Sequence, residues 1–219
     1  MQPSHFFLGV DLGQRHDPTA MAAVERIVYT GTSVDAATFE KLTEVVYRVR
    51  GLRRLKLGTP YTEVASEVGA LARTVAAQGP TTIVVDATGV GAPVVDLLRQ
   101  ELAMTSIPLV PVVFTSGDTP RSDGGIFRIP KKDLIHGLVV SFEEGKLRLI
   151  DDHPEARALV GELANMRIKV NSESQAGYEA WRQNQHDDLV FALALAVWRA
   201  RATAPRPRRN LPQQPLILW

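Results

Sequence analysis

Asp187 and Asp188 are followed by Leu189 to Trp198, LVFALALAVW, a run with no polar side chain. A helix that is apolar all round has to be buried. Its first turn is then fixed against whatever covers it, and here that turn carries two adjacent acids. The spacing predicts the last long helix over His186 to Arg201. A neighbouring sheet must bury it while leaving its acidic end usable.

The remaining elements supply that sheet. Phe6 to Asp11, FFLGVD, is a short apolar run ending in a carboxylate and reads as a buried strand. After a polar turn, Gln14 to Pro18, Thr19 to Val28 predicts a hairpin partner, and Glu40 to Arg50 a third strand, giving an antiparallel start. Helical spacing then takes over in Pro60 to Ala77, with Thr62 as N-cap and Gly79-Pro80 as the stop. Strand Thr82 to Asp86, helix Pro93 to Leu102, strand Leu109 to Phe114 and helices Lys131 to Glu144 and Pro154 to Asn165 follow. Met166 to Val170 and Gly177 to Trp181 are expected to form a hairpin around the polar tip Asn171 to Ala176. The pattern is one α/β domain over residues 1–202, a mixed central sheet with antiparallel first three strands flanked by helices. A Pro- and Arg-rich tail, 203–219, ends in an apolar LILW.

Zero cysteines exclude a disulfide scaffold, a thiolate zinc site and a thiol nucleophile. The longest apolar runs, Ile107 to Phe114 and Leu189 to Trp198, fall well short of the roughly 20 residues a spanning helix needs. MQPSHFFLGVDLG has neither a basic start nor a long apolar stretch, so it is no signal peptide. A cytoplasmic protein with no membrane partner is expected.

Three places put Asp where a buried element ends: Asp11, Asp86 and the pair Asp187-Asp188. A carboxylate after an apolar strand sits at the carboxyl edge of the sheet, where α/β folds place their sites. An acid opening a helix also caps free N–H groups, and an acid ending a strand also suits a turn. If Asp11 and Asp86 lie on adjacent strands, three or four carboxylates converge at one edge and repel one another. Hard, oxygen-ligated Mg²⁺ or Mn²⁺ would relieve that repulsion. Two such ions about 4 Å apart activate a water and stabilise the leaving oxygen of a phosphodiester. Asp187 and Asp188 point about 100° apart on a helix. One would be a direct ligand, the other a ligand of the second ion or a group behind it. His186 could contact the scissile phosphate or a bound water, or simply belong to the helix start. Asp17 reads as a turn former before Pro18.

GVDLG, IVVDATGVG and QHDDLVFALALA, in that order, resemble the three motifs of the RNase H-like nuclease domain of phage large terminases. The resemblance spans Phe6 to Arg201. It implies an RNase H-like fold and a metal-dependent DNA endonuclease with two Mg²⁺ or Mn²⁺ ions. It also implies metal-binding roles for Asp11, Asp86, Asp187 and Asp188, and cleavage of concatemeric viral DNA in the host cytoplasm during packaging. A terminase ATPase motor, a small terminase and a portal would be partners. No G-x-x-x-x-G-K-[ST] phosphate loop exists here, so this chain has no ATP site of its own and is either an excised nuclease domain or a separate nuclease.

Net charge is only +1, from 25 Lys+Arg against 24 Asp+Glu, yet the bases are clustered. Arg48, Arg50, Arg53, Arg54 and Lys56 fall within nine residues that contain no acid. Arg199, Arg201, Arg206, Arg208 and Arg209 form a second group. Both could bind double-stranded DNA through its phosphates, or be solvated charge runs. Lys131 and Lys132 open a helix against its dipole, which favours a phosphate-facing role over simple exposure, the other reading. Gly89-Val90-Gly91 reads as a strand-to-helix turn. Three other functions fit parts of this pattern. A Holliday-junction resolvase of the same fold would cut junctions. An actin-like ATPase or kinase would bind nucleotide, but normally needs a duplicated, longer chain. A non-catalytic DNA-packaging module would bind DNA without cutting it.

Overall fold

A computed structural model describes residues 4–13, 17–34, 41–89, 91–117, 119–149, 153–171 and 187–205. Eight strands form one sheet: β1 (His5–Asp11), β2 (Ala20–Val34), β3 (Lys41–Arg54), β4 (Thr81–Asp86), β5 (Leu109–Thr115), β6 (Arg121–Asp123), β7 (Ile126–Pro130) and β8 (Leu147–Arg148). The order across the sheet is β6-β7-β5-β4-β1-β2-β3-β8. β1, β2 and β3 pair antiparallel, while β4, β5 and β7 extend the sheet from β1 in parallel. The mixed sheet with an antiparallel start is as expected from the sequence. The short strands β6, β7 and β8 were not anticipated.

Alternation along the strands builds two cores. Phe6, Leu8 and Val10 of β1 pack with Met21, Ala23, Ile83 and Val85 against α1 (Tyr61–Ala76) and α2 (Gly91–Glu101). Phe7, Ala20, Ala22, Val24 and Val84 point the other way, toward α3 (Lys131–Glu143), α4 (Ala156–Asn171) and α5 (Asp188–Ala202). Helices therefore cover both faces. Helix α5 crosses β1, β2 and β4 and is buried nearly throughout, as its all-apolar sequence requires. No helix among the described residues is long and apolar enough to cross a membrane.

Small residues let α5 sit unusually close to the sheet. A Cβ on Gly9 would lie 1.9 Å from the Ala192 carbonyl oxygen and 2.9 Å from the Ala196 nitrogen. Ala192 and Ala196 are one turn apart on the helix face that meets β1. Gly13 is equally constrained: a Cβ there would stand 2.2 Å from the Asp17 carbonyl oxygen. The Gly13 N–H donates to Thr19 Oγ1 at 3.0 Å, which closes the β1–β2 turn. Both glycines of GVDLG are thus packing and turn residues.

Three local expectations are corrected. Met166 to Val170 is the C-terminal part of α4, not a strand. Its alternation of apolar and basic residues mimics a strand, but the preceding turns propagate the helix through it. The other hairpin arm, Gly177 to Trp181, lies outside the described residues, as does the tail from 206 on. Thr62 does not cap α1: Pro60 occupies the N-cap, with no side-chain cap bond. Finally, β3 runs on past Arg50 to Arg54, which changes where the arginines point.

The α5–β1 approach makes a direct prediction. Gly9→Ala drives a methyl group into the α5 backbone, where no flexible side chain can yield. Urea denaturation should show a loss of about 3 kcal/mol or more, whereas Gly51→Ala, with nothing within 4 Å of its Cβ position, avoids that clash. Equal stabilities for the two variants would refute the tight seat.

Candidate active site

β1 and β4 run parallel with Val10 opposite Val85, so the next residues, Asp11 and Asp86, are neighbours at the carboxyl edge of the sheet. Alternation puts both on the α5 face, since Phe7 and Val84 belong to that core. Asp86 is 9% exposed and Asp11 half-buried. Asp86 is held in place: its Oδ1 accepts the Thr88 N–H at 2.8 Å, and Thr88 Oγ1 accepts the Phe114 N–H at 2.8 Å. Gly89, with φ of 69°, turns the chain away from the strand toward α2.

Helix α5 brings its first residues to the same edge. Asp187 occupies the N-cap position, but its side chain makes no cap hydrogen bond. Its carboxylate is not used in the way that would account for an acid there on structural grounds alone. Asp188 is 2% exposed and faces elsewhere, receiving Arg54 Nε on Oδ2 at 2.6 Å and Arg54 Nη2 on Oδ1 at 3.3 Å. The two adjacent acids differ in their surroundings: Asp188 is gripped by Arg54, whereas the charge of Asp187 acts on Asp11.

Electrostatics ties Asp11, Asp86 and Asp187 into one site. Burial pushes the Asp11 carboxyl well above its ordinary value, Asp86 and Asp187 push it further, and Lys131 opposes them. Asp86 is raised by burial, against the hydrogen bonds from Thr88 and the charge of Lys131. Asp187 is raised by burial too, again opposed by Lys131 and reinforced by Asp17 and Asp188. Lys131, at the start of α3, is common to all three, and its Nζ stands 3.9 Å from the centre of the Phe191 ring. Anionic oxygens with too little positive charge around them are the donors that a hard divalent cation prefers. Among the described residues, no three such side chains are gathered closely enough to hold an ion as they stand.

The basic run divides between the two faces of the sheet. Arg48 and Arg50 lie 4.0 and 3.6 Å from Glu25, and Arg53 lies 2.7 Å from Glu67 of α1, all on exposed side chains away from α5. Opposite Ala23 and Val24, β3 supplies Gly51 and Val49, so Arg50 is an extra, bulged residue. The bulge inverts the alternation: Val49 and Leu52 share the α5 core, and Arg54 follows Leu52 onto that side. Lys132 is exposed on the first turn of α3. Arg199 stacks 5.1 Å over Phe127, and Arg201 donates to the Gly137 carbonyl and Ser141 Oγ, each at 2.8 Å. His186, Arg206, Arg208 and Arg209 lie outside the described residues.

Thr88 and Glu162 were not singled out from the sequence. An Asp-x-Thr after a strand is a recognisable turn signal for Thr88. Nothing linear marks Glu162, which reaches Arg54 from α4 and accepts the Val190 N–H at 3.2 Å.

The sequence matches no protein-family model and no curated protein. Among solved structures, the nuclease domain of human cytomegalovirus terminase, soaked with manganese, aligns over 90% of this chain and 83% of its own. The TM-score is 0.50 and the identity 14%. The fold is RNase H-like. Thermus thermophilus RuvC aligns over 90% of this chain and 97% of its own, at 13% identity and a TM-score of 0.42. At 14% identity the likeness to the terminase nuclease domain establishes architecture alone, and the chemistry has to come from the residues.

The raised carboxyls set the pH dependence of stability. A folded-state pKa above the ordinary value means that the folded chain holds the proton more tightly than the unfolded one. The resulting stability is present below the ordinary carboxyl pKa and is lost as pH rises through the folded value. Burial lifts Glu162 from 4.5 to about 7 despite Arg54 beside it, so its window is pH 4.5 to about 7. In EDTA, the melting temperature of Glu162→Gln relative to the wild type should climb across that window. A constant difference would show that Glu162 titrates normally.

Proposed function

We propose that the protein is a divalent-metal-dependent DNA endonuclease of the RNase H-like fold. The observation that supports this most is the convergence of Asp11, Asp86 and Asp187 at one sheet edge, each pushed toward protonation by burial with Lys131 opposing. The donor set suits Mg²⁺ or Mn²⁺. When bound, two such ions supply an activated water and neutralise charge on the departing 3′ oxygen. Asp11, Asp86 and Asp187 would hold them. Asp188 is left out of that set because Arg54 engages both of its oxygens.

The chain's own residues do the rest. Thr88 fixes the Asp86 carboxylate at the mouth of the turn, its N–H on Oδ1. Lys131 supplies positive charge beside the carboxylates, where a phosphate would otherwise meet only repulsion. Arg48, Arg50 and Arg53 are paired only at the surface, where such ion pairs contribute little, so exchanging Glu25 or Glu67 for a phosphate costs little. The narrower reading is cutting of concatemeric viral DNA with a motor, small terminase and portal as partners. It rests on the ordered motifs GVDLG, IVVDATGVG and QHDDLVFALALA. Against the nucleotide-binding alternative, Gly9 and Gly13 have their free sides filled by protein backbone and offer no room for a phosphate.

Plasmid cleavage with Mg²⁺, Mn²⁺ or EDTA tests the proposal. Wild-type protein should cut only with a divalent ion and without ATP. Asp86→Asn keeps the side-chain shape and removes the charge, so cleavage should fall by at least roughly 100-fold, while DNA binding in EDTA persists. Undiminished cleavage by both Asp11→Asn and Asp86→Asn would sink the metal site.

A second experiment addresses DNA. Reversing Arg48, Arg50 and Arg53 to Glu should weaken binding equally for all sequences. The slope of log affinity against log salt should flatten by up to about 3, roughly 0.9 for each phosphate no longer neutralised. An unchanged slope would leave these arginines as surface partners of Glu25 and Glu67.

A further inference from the structure

Behind the carboxylate edge lies a second charged cluster that takes no part in the chemistry proposed above. Arg54 sits at its centre. Besides gripping Asp188 with Nε and Nη2, its guanidinium reaches Glu162 through Nη2 and Glu155 through Nη1, the latter at 3.3 Å. Glu162 uses its other oxygen to accept the N–H of Val190, one of the donors that the start of α5 leaves without a helical partner. Arg54 thus joins three elements, β3, α4 and α5, at one point. Burial works against its charge, yet Asp188 and the two glutamates hold the guanidinium above its ordinary pKa.

Such a cluster is a poor way to gain stability. Desolvating one cation and several carboxylates generally offsets what their attraction returns, and apolar side chains of similar size would serve as well. The position of the cluster supplies its reason. Asp11 pairs with Ala20, and Ala20 pairs with Arg54, so Arg54 lies in the same row of the sheet as Asp11 and two strands away. At the usual strand spacing that is about 10 Å. Asp187 is covalently next to the residue Arg54 holds. Fixing Asp188 therefore fixes the rotation of the first turn of α5, and with it the direction of Asp187.

We propose that Arg54, backed by Glu162, is the positioning residue of the carboxylate site: it anchors Asp188 and the α5 N-terminus so that Asp187 meets Asp11 and Asp86. Asp188 is then an anchor, not a metal ligand. The proposal rests on the nuclease reading for its activity measurements alone.

The test measures manganese binding to the full chain by electron paramagnetic resonance of free Mn²⁺. It is paired with cleavage at saturating DNA and with DNA affinity in EDTA. Arg54→Lys keeps the charge and loses the fork, Arg54→Gln loses both, and circular dichroism checks that each is folded. Expected are a manganese affinity lowered by roughly 10- to 100-fold, a reduced kcat, and an unchanged KM for DNA and DNA affinity in EDTA. Asp188→Asn should lose about as much as Arg54→Gln, and the double variant no more than either, because the two act as one unit. Additive losses would make Asp188 a ligand and overturn the proposal. So would an Arg54→Lys variant that binds manganese like the wild type, or one whose only defect is DNA affinity. If the Arg54 variants do not fold, Glu162→Gln, which keeps an acceptor for Val190, must show the weakened manganese binding, and wild-type binding there overturns the proposal. A wild type that binds manganese but cuts no DNA refutes the nuclease reading, while the manganese titrations still decide the role of Arg54. A wild type that binds no manganese overturns both.

Discussion

The backbone of α5 occupies the space where a side chain at position 9 would be. That contact sets the depth of the helix against the sheet, and the carboxylate edge depends on it. Glycine on β1 and alanines on α5 let the helix axis drop toward the strands. Ala20 and Ala22 on β2 keep the same face shallow. With larger residues the helix would ride outward, and its first turn would no longer stand beside Asp11 and Asp86. The alanine-rich composition of α5 is therefore a geometric requirement of the site as much as a helix preference.

Drawing acids into such a place has an electrostatic cost that the structure divides between two cations. Lys131, on α3, offsets the repulsion among Asp11, Asp86 and Asp187. Arg54, on β3, answers Asp188 and Glu162. The two groups are next to each other in sequence at Asp187-Asp188 but answer to different cations. The two cations also differ in kind. The forked guanidinium of Arg54 fixes orientation, whereas the lysine ammonium on its flexible stem acts as a point charge. Lys131 can accordingly give way to another cation or turn toward a phosphate, while Arg54 is suited to hold one geometry.

Much of this was legible in the sequence because it rests on uninterrupted apolar runs. FFLGV before Asp11, TIVV before Asp86 and LVFALALAVW after Asp188 each had one plausible partner layer, so the strands, the buried helix and the shared edge followed. What was not legible depends on neighbours distant in the chain. Met166 to Val170 alternates like a strand, and only its continuity with the preceding helix decides otherwise. The two-residue β8 exists because β3 has an edge for it to join. Lys131 reads in the sequence as a helix-start lysine, and its place beside the acids of the site was not legible, since β7, an unexpected strand, delivers α3 there. Glu162 had no local signature at all, because its partners are 108 residues before it and 28 after it.

The arginines of β3 show how far one residue can redirect function. Strand periodicity alone would place Arg48, Arg50 and Arg54 on one face and Arg53 on the other. The bulged Arg50 breaks that pattern, so Arg53 turns to α1 and Arg54 to α5. Had the pairing run on without the bulge, Arg54 would have joined Arg48 on the outer face, and Asp188 would be a buried carboxylate without its guanidinium. An uncompensated acid in that position would take a proton or leave the core. In either case the first turn of α5 would lose what fixes its rotation. A single inserted residue in β3 thus separates an outer row of arginines paired with Glu25 and Glu67 from an interior clamp on Asp188, with consecutive arginines serving each.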